Sequence, residues 1–474
     1  MENHLTITKS DYQLFLKAPL HLWECKHRQS KQTLTEFELH TIKQGYEVEE
    51  VAQDYLEKYV VNANEGESVQ FQNTFLDKEF SARTDGLVFK PQTNSYDLYE
   101  IKSSSRNKPK FISDVAFQYL IVKKHIKIDH IYILHLNKDY VRDSSLNLEK
   151  LFVAEDISEK VREHLLEIDI NREKALEVAL SDSPEKIQGC YKPKGCPCPD
   201  LCHPDLPEYS IYQIPRITEK KKRQLLEKGI RSIKDVPSIF PLNDKQRKIV
   251  DVAKANKEYV DKASIEKEFE CFEFPLYFLD YETFLAAIPL FDGYHPQQQV
   301  VFQYSLHKID SLQGKLIHSD HLSITKDDPS TSLVKQLSED IGDKGTVFVW
   351  NKTFEISRNK ELSVIHPTYT DFFEDINRRI YDLGDFIANG LYVHPDFFGS
   401  WSIKKVLSVM VPSLSYTEMD IGKGDQAMMA WWSVVNNKLS ERDSEKTKEA
   451  LLAYCKMDTY AMVAIYRKLS QFLS

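Results

Sequence analysis

Apolar residues recur along the chain in two rhythms, one with the 3.6-residue period of helices and one with the two-residue period of strands. A helical spacing over residues 34–58 predicts a helix, and alternation over 79–90 and 96–103 predicts strands. A second helix is expected near 112–126, followed by a strand at HIYILHLN from His130. Gly189–Pro207 (GCYKPKGCPCPDLCHPDLP) breaks both rhythms, because proline lacks an N–H and fixes φ, and is expected to close a first domain over 1–207. Charged helical segments then predict a helical linker over 208–268. From Phe272 the apolar run FPLYFLDYETF opens a second region, 269–474, with further strands at VVFQYSLHKI and GTVFVWN and a closing amphipathic helix near 445–470. Both halves read as α/β.

With 474 residues, 42% of them hydrophobic, the chain can fill two or three cores, too many for one ordinary domain. No stretch reaches the roughly 20 apolar residues that span a bilayer. The opening MENHLTITKSDYQLF lacks the basic-then-apolar order of a signal peptide, so a cytoplasmic protein without a membrane partner is expected. A net charge of -10 argues against a chain that coats nucleic acid indiscriminately. Two local basic segments stand out instead, Lys102–Lys127 and Arg216–Arg223, although either reads equally well as a solvated face.

Asp85 opens one strand, and Glu100 and Lys102 stand two apart on the next, so they project from one face. Phosphodiester hydrolysis needs a cation on the phosphoryl oxygens, carboxylates to hold it and a group to orient water. Asp85 and Glu100 suit Mg2+ or Mn2+, and Lys102 suits the nucleophile. Acid-x-Lys with an upstream Asp arises by chance roughly half a dozen times in such a chain, so the context carries the reading. Thr84-Asp85-Gly86, Tyr99-Glu100-Ile101-Lys102 and a following helix with Gln118 resemble the PD-(D/E)xK nucleases, specifically the RecB-like exonucleases and their CRISPR-associated relatives. The resemblance implies a catalytic Gln118 and a metal-binding Glu49, four residues after Gly45. It places an aromatic substrate contact where this chain has Val122, with Tyr119 nearby.

In FPLYFLDYETF, Asp280 and Glu282 share one face of a strand expected to be buried, and two like charges there ask for a metal. Near the end, Tyr454 and Asp458 lie one helical turn apart. These residues resemble the DEDD exonucleases of the RNase H-like fold, in which Asp-x-Glu, a middle Asp and a late Asp bind two metals. Tyr-x-x-x-Asp resembles the tyrosine subclass. In WNKTFE the middle position is Glu355, and Asp382 or, secondarily, Asp385 is a further candidate. An inactive RNase H-like domain used for docking is the bland alternative.

Cys190, Cys196, Cys198 and Cys202, followed at once by His203, are dense enough to favour a metal over inert thiols. RecB-like exonucleases often hold a 4Fe-4S cluster through one N-terminal and three late cysteines. Their N-terminal Cys-Pro reads Ala18-Pro19 here, which leaves Cys198, Cys25 or a Zn2+ site as ways to complete the set. Cys271 and Cys455 read as packing, as do Trp431 and Trp432. His394 and the remaining histidines read as loop or core groups.

Nearly end to end, the chain resembles an uncharacterised bacterial family, a domain of unknown function, in which a RecB-like nuclease precedes an RNase H-like exonuclease. LLEKGIRSIKDVPSI in the middle also resembles helix-hairpin-helix modules, but its charged pattern reads as a plain helical linker. The resemblance implies an exodeoxyribonuclease acting on DNA rather than RNA, at single-stranded regions or ends, in repair, recombination or defence. The alternative is a degenerate nuclease fold serving as a nucleic-acid or protein-binding adaptor.

Overall fold

Thr8 accepts a hydrogen bond from the Asp11 amide while Asp11 accepts one from Thr8, a reciprocal cap that starts α1 (Lys9–Lys17). The computed structural model describes residues 5–28 and 34–473. Pro19 opens α2 (Pro19–His27), and a Thr35–Glu38 cap opens α3 (Glu36–Tyr55), within the span expected for the first helix. Next come β1 (Ser68–Phe71), β2 (Thr74–Asp77), β3 (Phe80–Arg83), β4 (Gly86–Lys90) and β5 (Ser95–Lys102). They lead into α4 (Pro109–Val122), β6 (Ile128–Leu136), α5 (Leu148–Leu151), β7 (Phe152–Asp156), α6 (Ser158–Leu180) and α7 (Pro199–Cys202).

The single strand expected over 79–90 is two. Thr84 N donates to Asn73 O (2.9 Å) and breaks the run, so that β3 pairs with β2 and β4 pairs with β1 and β5. The main sheet runs β1-β4-β5-β6-β7, with β5 and β6 parallel. A core containing Phe117, Val115, Leu98, Ile131 and Val161 joins α4 and α6 to the sheet; a second, with Val48, Ala52, Val88 and Leu134, joins α3. This unit extends to Asp205 and takes in Ala286–Gln298, whose Gln297 Nε2 donates to Ser103 O (2.7 Å).

The second unit comprises Leu206–Leu285 and Gln299–Ser474. It begins with α8 (Glu219–Glu227) and α9 (Asp244–Ala255), where Ile211, Ile214, Leu225, Ile233, Val236 and Val250 form a core of their own. The expected linker is therefore a packed module: sparse apolar positions meet behind a charged exterior. After β8 (Tyr259–Val260) and α10 (Lys262–Phe269) come β9 (Leu276–Leu285), β10 (Gln299–Ile309), β11 (Ile317–Leu322), α11 (Ser330–Asp340), β12 (Val347–Val349) and α12 (Lys352–Ile365). The chain ends with α13 (Thr370–Arg379), β13 (Ile380–Asp382), α14 (Asp385–Ala388), β14 (Tyr392–Val393), α15 (Ile403–Met410), α16 (Gly424–Val435) and α17 (Glu441–Ser470).

The larger sheet is β11-β10-β9-β12-β13, antiparallel up to β9 and parallel beyond it, which makes β9 central. Polar clips hold α17 across it: Gln303 Nε2 donates to Leu451 O (2.9 Å), and Ser305 and Thr459 hydroxyls meet at 2.8 Å. Among the described residues, no helix is long and apolar enough to cross a membrane. Trp431 is fully buried and Trp432 stacks on Phe284, both in packing roles.

Candidate functional site

Antiparallel register sets Gly86 opposite Tyr99, so Asp85, at the break between β3 and β4, falls beside Glu100. Asp85 Oδ2 accepts from Ile101 N (2.9 Å). Glu100 is fully buried; its Oε1 accepts from Lys9 Nζ (2.7 Å) and from Lys102 Nζ, while Oε2 has no partner among the described residues. Burial and the Glu100 charge push the Asp85 carboxyl up to about 7. Burial also works to raise Glu100, but Lys9 and Lys102 outweigh it and hold that carboxyl down at about 2. For Lys102 burial favours the neutral amine, and the Glu100 and Asp114 carboxylates reverse that, keeping the ammonium. The expected trio thus meets.

Two participants were not foreseen. Lys9 arrives from α1 with no local pattern to announce it. Asp114 Oδ2 lies 3.7 Å from Lys102 Nζ and its Oδ1 accepts from Gln13 Nε2; it stands four residues before Gln118 on α4, a spacing that was readable. Gln118 itself is fully buried, with Nε2 on Arg83 O (3.1 Å) and Oε1 without a partner among the described residues, so it braces the strand leading to Asp85. Val122, at the position of the expected aromatic contact, is fully buried as well. The Glu49 carboxylate is taken by the Gln72 amide. Past Lys102, residues Arg106, Lys108, Lys138 and Lys160 line an open groove of about 600 Å3 that also includes His135 and Glu155.

In the second unit the two-residue strand period puts Asp280 and Glu282 on one face of β9, and α17 brings Cys455 so close that these donor atoms all lie within 4.8 Å of one another. Burial drives the Asp280 and Glu282 carboxyls well above the usual range; Asp458 adds to the push on Asp280, and Asp280 then Asp458 to that on Glu282. Glu355, from α12, is raised by burial and then by Asp280 and Asp382, and its Oε2 has no partner among the described residues. Burial lifts Asp458 to about 6, with Tyr416 and Lys404 opposing. Tyr416 Oη donates to Asp458 Oδ1 (2.7 Å), and Lys404 Nζ donates to Tyr454 Oη (3.2 Å). Lys404 and Tyr416 lie outside the expected set.

Asp382 is engaged by backbone, accepting from Lys352 N (2.8 Å) and Gly384 N (3.0 Å), and Asp385 pairs with Lys352 Nζ (3.2 Å). Cys455, expected to be packing, is buried but also sits 3.7 Å from Asp280 Oδ2; burial and the surrounding acids keep it a thiol. In both sites oxygen donors dominate and a buried carboxylate oxygen lacks a partner, which suits a hard cation such as Mg2+ or Mn2+.

The cysteines of the first unit also gather. His21, Cys196, Cys198 and Cys202 form one group with donor atoms within 4.8 Å, and Cys190, Cys196 and His203 form another. His21, on α2, was not anticipated. Cys25, the expected N-terminal alternative, is exposed and belongs to neither group. Cys271 is exposed too, not packed.

Residues 277–402, which include Asp280, Glu282, Glu355 and Asp382, match the family described as Domain of unknown function (DUF2779). The chain is 29% identical over 215 residues to the uncharacterised MG366 homolog of Mycoplasma pneumoniae (strain ATCC 29342 / M129 / Subtype 1). That match covers 42% of this chain and 32% of the relative, so it spans about a third of the relative's length. No solved structure matches. The similarity is to proteins whose function is uncharacterised.

Proposed function

We propose that the chain is a metal-dependent nuclease with two separate carboxylate sites, one in each unit, hydrolysing phosphodiester bonds of DNA. The observation that carries this reading is the gathering of Asp280, Glu282, Glu355 and Asp458 from three separate segments into one buried region, where the Asp458 charge opposes ionisation of Asp280 and Glu282 and the Asp280 charge opposes that of Glu282 and Glu355. Buried like charges are costly without a counter-ion, so such a cluster makes sense as a cation cradle. Asp280, Glu282 and Asp458 would hold Mg2+ or Mn2+, with Glu355 and Asp382 beside them. Asp85 and Glu100 would do so in the first unit. The ion would neutralise charge on the phosphoryl oxygens and acidify water.

The chain's own groups supply the rest. The Lys102 ammonium, kept charged by Glu100 and Asp114, orients the attacking water at the first site. Lys9 holds Glu100 ionised, and Gln118 braces Arg83 and so the position of Asp85. At the second site the Tyr454 phenol, one turn before Asp458, is a donor for the water. The groove with Arg106, Lys108, Lys138 and Lys160 fits a phosphate backbone leading away from Lys102. The sheet order supports the RNase H-like reading, since β9 with its Asp-x-Glu is central and α17 with Asp458 lies across it.

Purified protein with Mg2+ or Mn2+ is expected to degrade end-labelled single-stranded DNA. Lys102→Ala and Asp280→Ala each remove a different part of that activity, and the double variant removes all of it. A double variant as active as the parent would overturn the reading. A second reading, a nonenzymatic adaptor, is favoured by Lys404, whose charge already offsets Asp280, Glu282 and Asp458 as a cation would. Calorimetric titration with Mn2+ separates the two, because the adaptor binds none.

A further inference from the structure

Helix α2 is fastened to the chain around the cysteine loop at several points. Leu20 N donates to Gln188 O (3.1 Å), Trp23 Nε1 to Ser181 O (2.7 Å) and Arg28 Nη1 to Asp200 Oδ2 (2.7 Å). Leu20, Trp23 and Cys198 form a small apolar cluster, with Ile187, Leu201 and Cys202 packed against it. Into this wall points His21, only 7% exposed, with Nε2 3.5 Å from Cys196 Sγ. Cys198 and Cys202 bracket one helical turn at α7, and their sulfurs stand 3.6 Å apart. Gly189 allows the approach: a Cβ there would lie 3.1 Å from Cys202 Cα and 3.3 Å from its Sγ.

These spacings discriminate between metals. A tetrahedral zinc, with Zn–S near 2.3 Å and Zn–N near 2.0 Å, sets its donors about 3.5–3.8 Å from one another. The separations of 3.5 and 3.6 Å fall there, and all four donors lie within 4.8 Å of each other. A four-iron cluster binds each thiolate through a different iron and needs its ligands spread around a body several ångström across. The described donors do not fit that requirement, and one of them is an imidazole.

We propose that His21, Cys196, Cys198 and Cys202 form a closed structural site for one Zn2+ per chain, in which His21 supplies the ligand from the N-terminal helices. Cys190, 3.1 Å from His203 and in hydrogen-bonding contact with Cys202 and His21 as well, stands at the edge of this site, and neither Cys190 nor His203 is among the proposed ligands. The ion adds to the contacts that hold α2, and with it α1 and Lys9, against the loop that follows α6. This inference does not depend on the nuclease reading.

Elemental analysis of the full chain is expected to give one zinc and no iron, with no brown absorption after anaerobic purification. Zinc-edge X-ray absorption of the unmodified protein is expected to report three sulfur ligands and one nitrogen. His21→Ala loses the zinc, whereas Cys25→Ala and Cys190→Ser keep it. His21→Cys retains it with a fourth sulfur. Iron with a broad visible band, no metal, two zinc ions, an all-sulfur first shell in the unmodified protein, or zinc lost on Cys25→Ala would each overturn the assignment. If His21→Ala does not fold, the absorption spectrum of the unmodified protein decides alone.

Discussion

Lys9 Nζ lies 2.7 Å from Glu100 Oε1, across ninety-one residues of sequence, and shares that oxygen with Lys102. A fully buried carboxylate with two ammonium partners is stabilised as an anion, and removal of one partner leaves charge inadequately compensated. Lys9→Ala is therefore expected to cost about 2 kcal/mol, short of the cost of a wholly broken buried pair because Lys102 remains. In a double-mutant cycle with Glu100→Gln, urea midpoints should show strong coupling. Additive losses would mean that the pair does not interact in solution.

Glu355 leads to a prediction with a defined pH dependence. Its carboxyl is raised, so across the interval between the ordinary Glu value and the folded one the native chain holds a proton that the unfolded chain has released, and stability falls as pH rises. Above that interval the full cost is present. Glu355→Gln is expected to stabilise the metal-free protein at pH 8 by about 1–3 kcal/mol, with the gain fading toward pH 4.5. Mn2+ should raise the Tm of the parent more than that of the variant. A destabilised Glu355→Gln protein at pH 8 would contradict this.

The clearest sequence signals came from short-range geometry. Asp280 and Glu282 were readable because a two-residue period on an apolar strand leaves two acids on one face, and Glu100 with Lys102 obeys the same rule. The interruption at Thr84–Asp85 was not, because it depends on Thr84 pairing with Asn73 rather than on either residue's own preference. Lys9, Lys404 and Tyr416 reach their sites through tertiary packing alone. His21 resembles any histidine on an apolar helix until the loop after α6 closes over it. The module within 208–268 reads as a linker in sequence because charged residues outnumber the few apolar positions that form its core.

His307 supplies the acid-side prediction. It is 2% exposed, with Nδ1 2.8 Å from Thr459 Oγ1, and burial, then His318 and Lys456, push its imidazole down to about 3. A histidine depressed in the fold contributes stability that is complete above its unfolded value near 6.5 and is lost as pH falls toward 3, because the unfolded chain takes up the proton first. By pH 5 the loss should reach about 2 kcal/mol. Urea midpoints at pH 7.5 and pH 5 are expected to fall further apart for the parent than for His307→Asn, whose amide can still meet Thr459. Equal falls would show that other groups carry the acid sensitivity.

Gly345 governs the entry to β9. Its φ is +94°, a Cβ there would sit 2.0 Å from Pro275 O, and Thr346 N next to it donates to Glu273 O (2.8 Å). Two costs therefore apply to Gly345→Ala: the left-handed backbone, about 1–2 kcal/mol, and a collision with backbone that cannot rotate away. Gly229, at φ +73° with no described atom within 4 Å of where a Cβ would lie, isolates the first cost. Gly229→Ala is expected to lose about 1 kcal/mol and Gly345→Ala about 3 kcal/mol or more, read from thermal or urea unfolding. Because relief of the collision must move the segment leading to Tyr277 and Asp280, Gly345→Ala should also weaken Mn2+ binding at the second site while Gly229→Ala leaves it intact. Equal losses in the two variants would mean that the Pro275 contact yields easily and that the close approach does not hold β9 in place.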